Sequence, residues 1–172
     1  GPTAKVRSPA AAQNLSNGLL AVADAFGLKT RVVSGDGNQP VGRGIGPALE
    51  ARDVLAVLKG QRDAPQDLRA RALALAGSLL ELSGRAGDGT GTALATGILD
   101  SGRAWEKFQR ICEAQGGMRT PPQSTHRKDL TAMSDGVVTA MDNRRLARLA
   151  KLAGAPEDKA AGIELHVRVG GV

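Results

Sequence analysis

Aromatic side chains are nearly missing from this 172-residue sequence: two Phe, one Trp and no Tyr, 2% of the chain. Its core must therefore be Leu, Val, Ile and Ala. The scarcity argues against a surface that stacks single-stranded nucleic acid on exposed rings. Cysteine is as rare. The single Cys112 cannot close an intramolecular disulfide, and in its helical run it reads as a small packing residue rather than a nucleophile. The two histidines, His126 and His166, stand in different segments with no Cys or His partner nearby, so metal-ligand spacing is missing too. No apolar run reaches the roughly 18 residues of a membrane span. No charged-then-apolar leader opens the sequence. Together these absences predict a cytoplasmic, reducing setting, with neither nucleic acid nor membrane as partner.

What is present fits a globular chain. Hydrophobic residues make up 41%, enough at this length for one domain or a domain with a small appendage. The net charge of +6 comes from 23 basic and 17 acidic residues, scattered singly among one another. The densest basic group is Arg144, Arg145, Arg148 and Lys151. Helical spacing puts Arg144, Arg148 and Lys151 on one face, which reads as a solvated helix side or an anion patch.

The most strongly patterned stretch is DGNQPVGRGIGPALEARD, Asp36 to Asp53. A strand-like Arg31-Val32-Val33 leads into it and a helix leads out. Gly42, Gly44 and Gly46 alternate through the turn, where glycine permits unusual backbone angles or close approach. Pro47 suits the first helical position, and Glu50 lies in the favourable first turn. Two readings follow: a glycine-rich strand-to-helix turn, or a loop presenting backbone to a ligand.

Before that stretch, Ser8 and Pro9 predict a helix start, and Leu15, Leu19, Val22 and Phe26 form an amphipathic stripe ending at Gly27. Leu28–Ser34 is predicted as a buried strand. This is the back half of a strand–helix–strand unit, whose front strand is expected before Gly1. After the stretch, the helix is predicted to stop at Gly60. Pro65 opens another to about Leu82, with Leu68, Leu75, Leu79 and Leu82 on its packed face. A glycine-rich link follows. Thr90 or Thr92 caps a short helix, and Ser101 caps one with Trp105, Phe108, Ile111 and Cys112 as its apolar face. Two prolines in Thr120-Pro121-Pro122-Gln123-Ser124 predict an extended linker. Beyond it, Leu130–Met133 and Val137–Met141 read as short strands. Asp142 or Asn143 caps a helix, and Ile163–Val169 alternates as a half-buried strand with His166 on its polar side. No local catalytic constellation stands out.

As strings, the Asp36–Asp53 stretch, AWEKFQRICEAQGG (Ala104 to Gly117) and DGVVTAMDNRRLARLAKLAGAPEDKAAGIELHVRVG (Asp135 to Gly170) resemble the pyrimidine nucleoside phosphorylases. The likeness is strongest to the long thymidine phosphorylases and the related AMP phosphorylases. It implies an α/β fold: residues 1–119 as part of the large α/β phosphorylase domain, 120–127 as linker, and 128–172 as an incomplete α/β hammerhead-like domain. It also implies a C-terminal fragment of a homodimeric enzyme. That enzyme would transfer a pentosyl group from base to phosphate, with a nucleoside and phosphate as its partners in catalysis. Thymidine is the expected nucleoside, and AMP phosphorolysis is the alternative. A non-catalytic binding or assembly module is the alternative of another class. The family's phosphate loop and base clamp lie upstream, so no catalytic or substrate-binding residue is assigned here. No organic cofactor is implied. The family's monovalent cation site carries over onto the carbonyls of Val41 and Gly44 and the carboxylate of Asp53, an Asp where the family has Glu.

Overall fold

The computed structural model describes residues 3–171. Six helices and one small sheet make up its regular structure: α1 (Pro9–Ala25), β1 (Gly44–Ile45), α2 (Pro47–Leu58), α3 (Gln66–Leu82), α4 (Gly91–Asp100), α5 (Arg103–Ala114), α6 (Asn143–Leu152) and β2 (Ile163–Glu164). The chain is mostly helical, with a two-stranded antiparallel sheet pairing Gly44 with Glu164 and Ile45 with Ile163. No described helix is long and apolar enough to cross a membrane.

The helix ends follow local chemistry. Ser8 Oγ accepts the Ala11 N–H at 3.2 Å, and Pro9 opens α1. At its other end Gly27 turns left-handed, and the Leu28 N–H reaches back to the Ala23 carbonyl. This double turn satisfies carbonyls that the helix leaves free. Gly60 closes α2 the same way, with the Gln61 N–H on the Ala56 carbonyl. Pro65 precedes α3, and the Asp142 carboxylate caps α6 through the Arg144 and Arg145 amides.

The predicted strands mostly do not form. Residues 28–34, 130–133 and 137–141 form no strand, although Val138 exchanges two backbone hydrogen bonds with Gly170 and Gly171, and Ile163–Val169 contributes only its first two residues to β2. Their branched side chains suit a pleated sheet, but a strand exists only beside a neighbour that completes its hydrogen bonds. Strand β1, conversely, lies inside the stretch read as a turn.

Small residues build the core. Ala56, Val57 and Ala64 form its buried centre, with Leu68 of α3 and Leu99 of α4 against it. Helices α3 and α4 cross at two glycines: a Cβ on Gly91 would stand 2.1 Å from the Gly77 carbonyl oxygen. That contact selects the packed face of α3. Leu73 and Gly77 are buried there, while Leu75 and Leu79 of the predicted face are exposed. Glu81 secures the crossing by accepting the Gly91 N–H at 2.9 Å and pairing with Arg31 at 2.5 Å. On α5, Trp105 stacks on Phe108 with centroids 6.1 Å apart, and Lys59, at the C-cap of α2, places its ammonium 4.8 Å from the Trp105 ring.

Candidate functional site

The turn at 36–46 is where α2, α3, α6 and the end of the chain meet. Gly42 and Gly46 have φ of 78° and 139°, a region closed to most side chains. Gly44 is needed for room: a Cβ there would lie 2.5 Å from the Leu49 carbonyl carbon. With the backbone folded this tightly, its amides point inward in a group, and each requires an acceptor.

Carboxylates supply them. Asp53, buried in α2, takes the Arg43 and Gly44 N–H groups on one oxygen, Oδ2, at 2.6 and 2.8 Å. Its Oδ1 lies 3.6 Å from Arg43 Nε. Asp67 of α3 takes the Gly42 N–H at 3.0 Å, and Glu50 takes the Gly46 N–H at 3.0 Å. A buried carboxylate is tolerated when donors and a cation surround it, as here around Asp53.

Side chains from the far end of the sequence close the other side. Arg168 donates to the Gly42 carbonyl at 2.9 Å and the Pro40 carbonyl at 3.3 Å, and pairs with Asp67 at 2.8 Å. The Val169 N–H donates to Gln39 Oε1 at 3.0 Å, the Leu165 N–H to the Arg43 carbonyl at 2.9 Å, and Asn143 Nδ2 to the Gly37 carbonyl at 3.1 Å. Of the two readings of this stretch, these bonds favour the strand-to-helix turn as far as its amides are concerned. The amides of Gly42, Arg43, Gly44 and Gly46 are engaged by the protein's own acids, so the glycines serve a structural junction.

Gly44 and Asp53, two of the three residues expected at a cation site, do come together, but through the Gly44 amide. Val41 is half-buried beside Gly42. Asp53 Oδ1 accepts no hydrogen bond and is the oxygen such an ion would use, in competition with the Arg43 guanidinium. Among the described residues no group of three or more His, Cys, Asp and Glu side chains is placed to hold a metal. His166, Arg144, Arg148 and Lys151 are exposed to solvent.

Asp67 and Arg168 belong to no local motif, and no spacing in the sequence pairs Gln39 with Val169 or Asn143 with Gly37. The available sequence signals are slight: Asp67 is an acid in a helix's first turn, and Arg168 stands on the polar side of an alternating run. Beside the turn opens a cleft of about 390 Å³, bordered by Arg43, Arg52, Lys59 and Arg127 together with Asp63 and Glu164. Arg52 reaches across it to the Pro122 carbonyl.

No family model matches the chain. Individual proteins match it almost end to end. A protein of Sphingopyxis alaskensis named "Putative thymidine phosphorylase" is 66% identical over 170 residues, which is 99% of this chain and 33% of that protein. Similarly named proteins of Cupriavidus necator and Acidovorax sp. strain JS42 are 59% and 61% identical, again over 99% of this chain and 33% of their own length. The chain spans about a third of the length of the relatives it matches. By sequence the chain is therefore similar, almost end to end, to one third of proteins named as putative thymidine phosphorylases.

Proposed function

We propose that the chain is the C-terminal part of a thymidine phosphorylase. The full enzyme catalyses reversible phosphorolysis: phosphate attacks the sugar C1′ of thymidine as the glycosidic bond breaks, giving thymine and 2-deoxyribose 1-phosphate. The observation that carries this reading is 66% identity, sustained over 170 residues, to a relative of that name. Holding two substrates in attacking geometry contributes up to about 7–11 kcal/mol to such a reaction, which requires residues converging from several segments. In this reading, 1–119 belong to the large α/β domain, 120–127 link it to a hammerhead-like unit at 128–172, and the enzyme is a cytoplasmic homodimer. The junction at 36–46 is the scaffold behind the site. Phosphate and nucleoside are held by residues outside this chain. A monovalent cation on the Val41 and Gly44 carbonyls and Asp53 Oδ1 would supply fixed positive charge at that scaffold.

The test is phosphorolysis by the full-length protein with thymidine, uridine and AMP side by side, following free base with and without phosphate. Phosphate-dependent release of thymine is expected, and the 172-residue chain alone is expected to be inactive. Selective turnover of AMP would replace the substrate assignment. No turnover of any of the three would favour a binding or assembly module. Potassium dependence that is lost in Asp53→Asn, with the protein still folded, would locate the cation.

A further inference from the structure

The cleft beside the turn is lined by four separate pieces of chain, and three of them bring positive charge to it. Arg43 comes from the turn, Arg52 from α2, Lys59 from the C-cap of α2, and Arg127 from the segment after α5. Arg52 and Lys59 are seven residues apart, two helical turns, and so share one face. Opposed to them are Asp63 and Glu164, both exposed, and Asp53, whose Oδ2 is held by two backbone amides.

The cations are only loosely neutralised. Arg43 approaches Asp53 at 3.6 Å and Asp63 at 3.9 Å, beyond good hydrogen-bond distance, and its buried Nε has no hydrogen-bond partner. Arg127 makes no hydrogen bond or ion pair with the described residues. Lys59 is steadied by the Trp105 ring and leaves its three N–H donors unpaired among the described residues. Arg52 uses one nitrogen on Pro122, which ties the segment carrying Arg127 to α2. Planar guanidinium forks and an ammonium around a concave space match a tetrahedral oxyanion, which accepts several charge-assisted hydrogen bonds at once.

We infer that this cleft binds the phosphate group of a small anion, with Arg127, Lys59 and Arg43 as its ligands and Arg52 as the residue that positions the 120–127 segment. The site lies wholly within this chain and does not depend on the phosphorolysis reading. Its volume of about 390 Å³ accommodates either inorganic phosphate or a phosphate monoester.

Isothermal titration of the chain separates these sources, with inorganic phosphate, ribose 5-phosphate and AMP as probes at constant ionic strength. Saturable binding of one equivalent is expected. Tighter binding of a monoester than of phosphate would identify an organic phosphate as the ligand, and the reverse would identify the free ion. Arg127→Gln and Lys59→Gln should each weaken binding about tenfold, the effect of one lost charge-assisted contact. Asp63→Asn removes a competing carboxylate and should tighten binding roughly threefold, a gain that damage to the fold would not produce. Arg110→Gln, on α5 outside the cleft, should leave affinity unchanged. Absence of saturable binding, or equal weakening by Arg110→Gln and Arg127→Gln, would overturn the assignment.

Discussion

Helix α1 and the turn at 36–46 differ in what holds them. The turn has almost no hydrophobic side chains, yet polar groups from α2, α3, α6 and the end of the chain converge on it. Helix α1 has a clean apolar stripe, yet Leu15, Leu19, Val22 and Phe26 are exposed, Phe26 to 76%. Of its residues only Ala23 is buried, and no helix or strand makes more than marginal contact with it. The turn is stabilised by the folded structure around it. Helix α1 is held by its own two caps and by the segment that follows it. An amphipathic stripe states which face would lose free energy on burial; it does not supply the surface that buries it.

The comparison is most sharply broken at Asp53. Asp53→Ala leaves two amides of the turn without an acceptor and Arg43 without its nearest carboxylate. It should destabilise the chain by about 4 kcal/mol, read from urea unfolding. Gly44→Val drives a side chain into Leu49 and should cost about 2 kcal/mol, read from the thermal midpoint. In α1 the effects should be smaller. Ser8→Ala removes the N-cap and should cost about 1 kcal/mol, visible as lost helix signal in circular dichroism without change around Trp105.

The segment after α1 is tied to α3 by Arg31 and Glu81. The Arg31 hydrogen bond, then the Gly91 amide, hold the Glu81 carboxyl below its ordinary value, against the opposing effect of burial. The unfolded chain therefore takes up this proton first on acidification. The stabilisation is complete above the ordinary carboxylate value and is lost as pH falls through the lower native one. Glu81→Gln should remove that component of the acid dependence, seen in melting curves across the acidic range. Least of all should follow from Leu19→Gln with Val22→Gln, within about 0.5 kcal/mol for the isolated chain, because neither side chain is buried. A large loss there would show that the stripe is covered in solution and would erase the contrast with the turn.

Punctuation was the legible part of this sequence. Ser8-Pro9, Gly27, Gly60 and Pro65 act through bonds a few residues long, so the residue types suffice to place the helix ends. The alternating glycines likewise marked a tight backbone. Pairing was not legible. Val32-Val33 and Val137-Val138 are as strand-like as Ile163-Glu164, yet only the last enters a ladder, Val138 exchanging just two backbone hydrogen bonds with Gly170 and Gly171. The packed face of α3 was misread because leucine and alanine recur on several sides of the helix, and the choice falls to the contact of Gly77 with Gly91. In the candidate site, Asp53 was singled out only through the family resemblance, which implied a cation ligand and not the acceptor of the Arg43 and Gly44 amides. The clamp of Asp67 and Arg168 was not, since a charge pair formed across the fold leaves no spacing to read.

Arg168 and Gly42 are 126 residues apart in the chain, whereas the Glu81 bond to Gly91 spans 10. Closing the longer loop carries about 2 kcal/mol more entropic cost. The two parts of the molecule should therefore form at different times, the α3–α4 crossing early and the turn's clamp late. Pulse-labelled hydrogen exchange should show the Gly91 amide protected before the Leu165 amide, and the opposite order would refute this. During synthesis at about 5–20 residues per second, the delay between making Gly42 and making Arg168 is on the order of 6–25 s. For that interval the turn exists without its lock, and a nascent chain stalled before Arg168 would hold a formed helical pair beside an open junction.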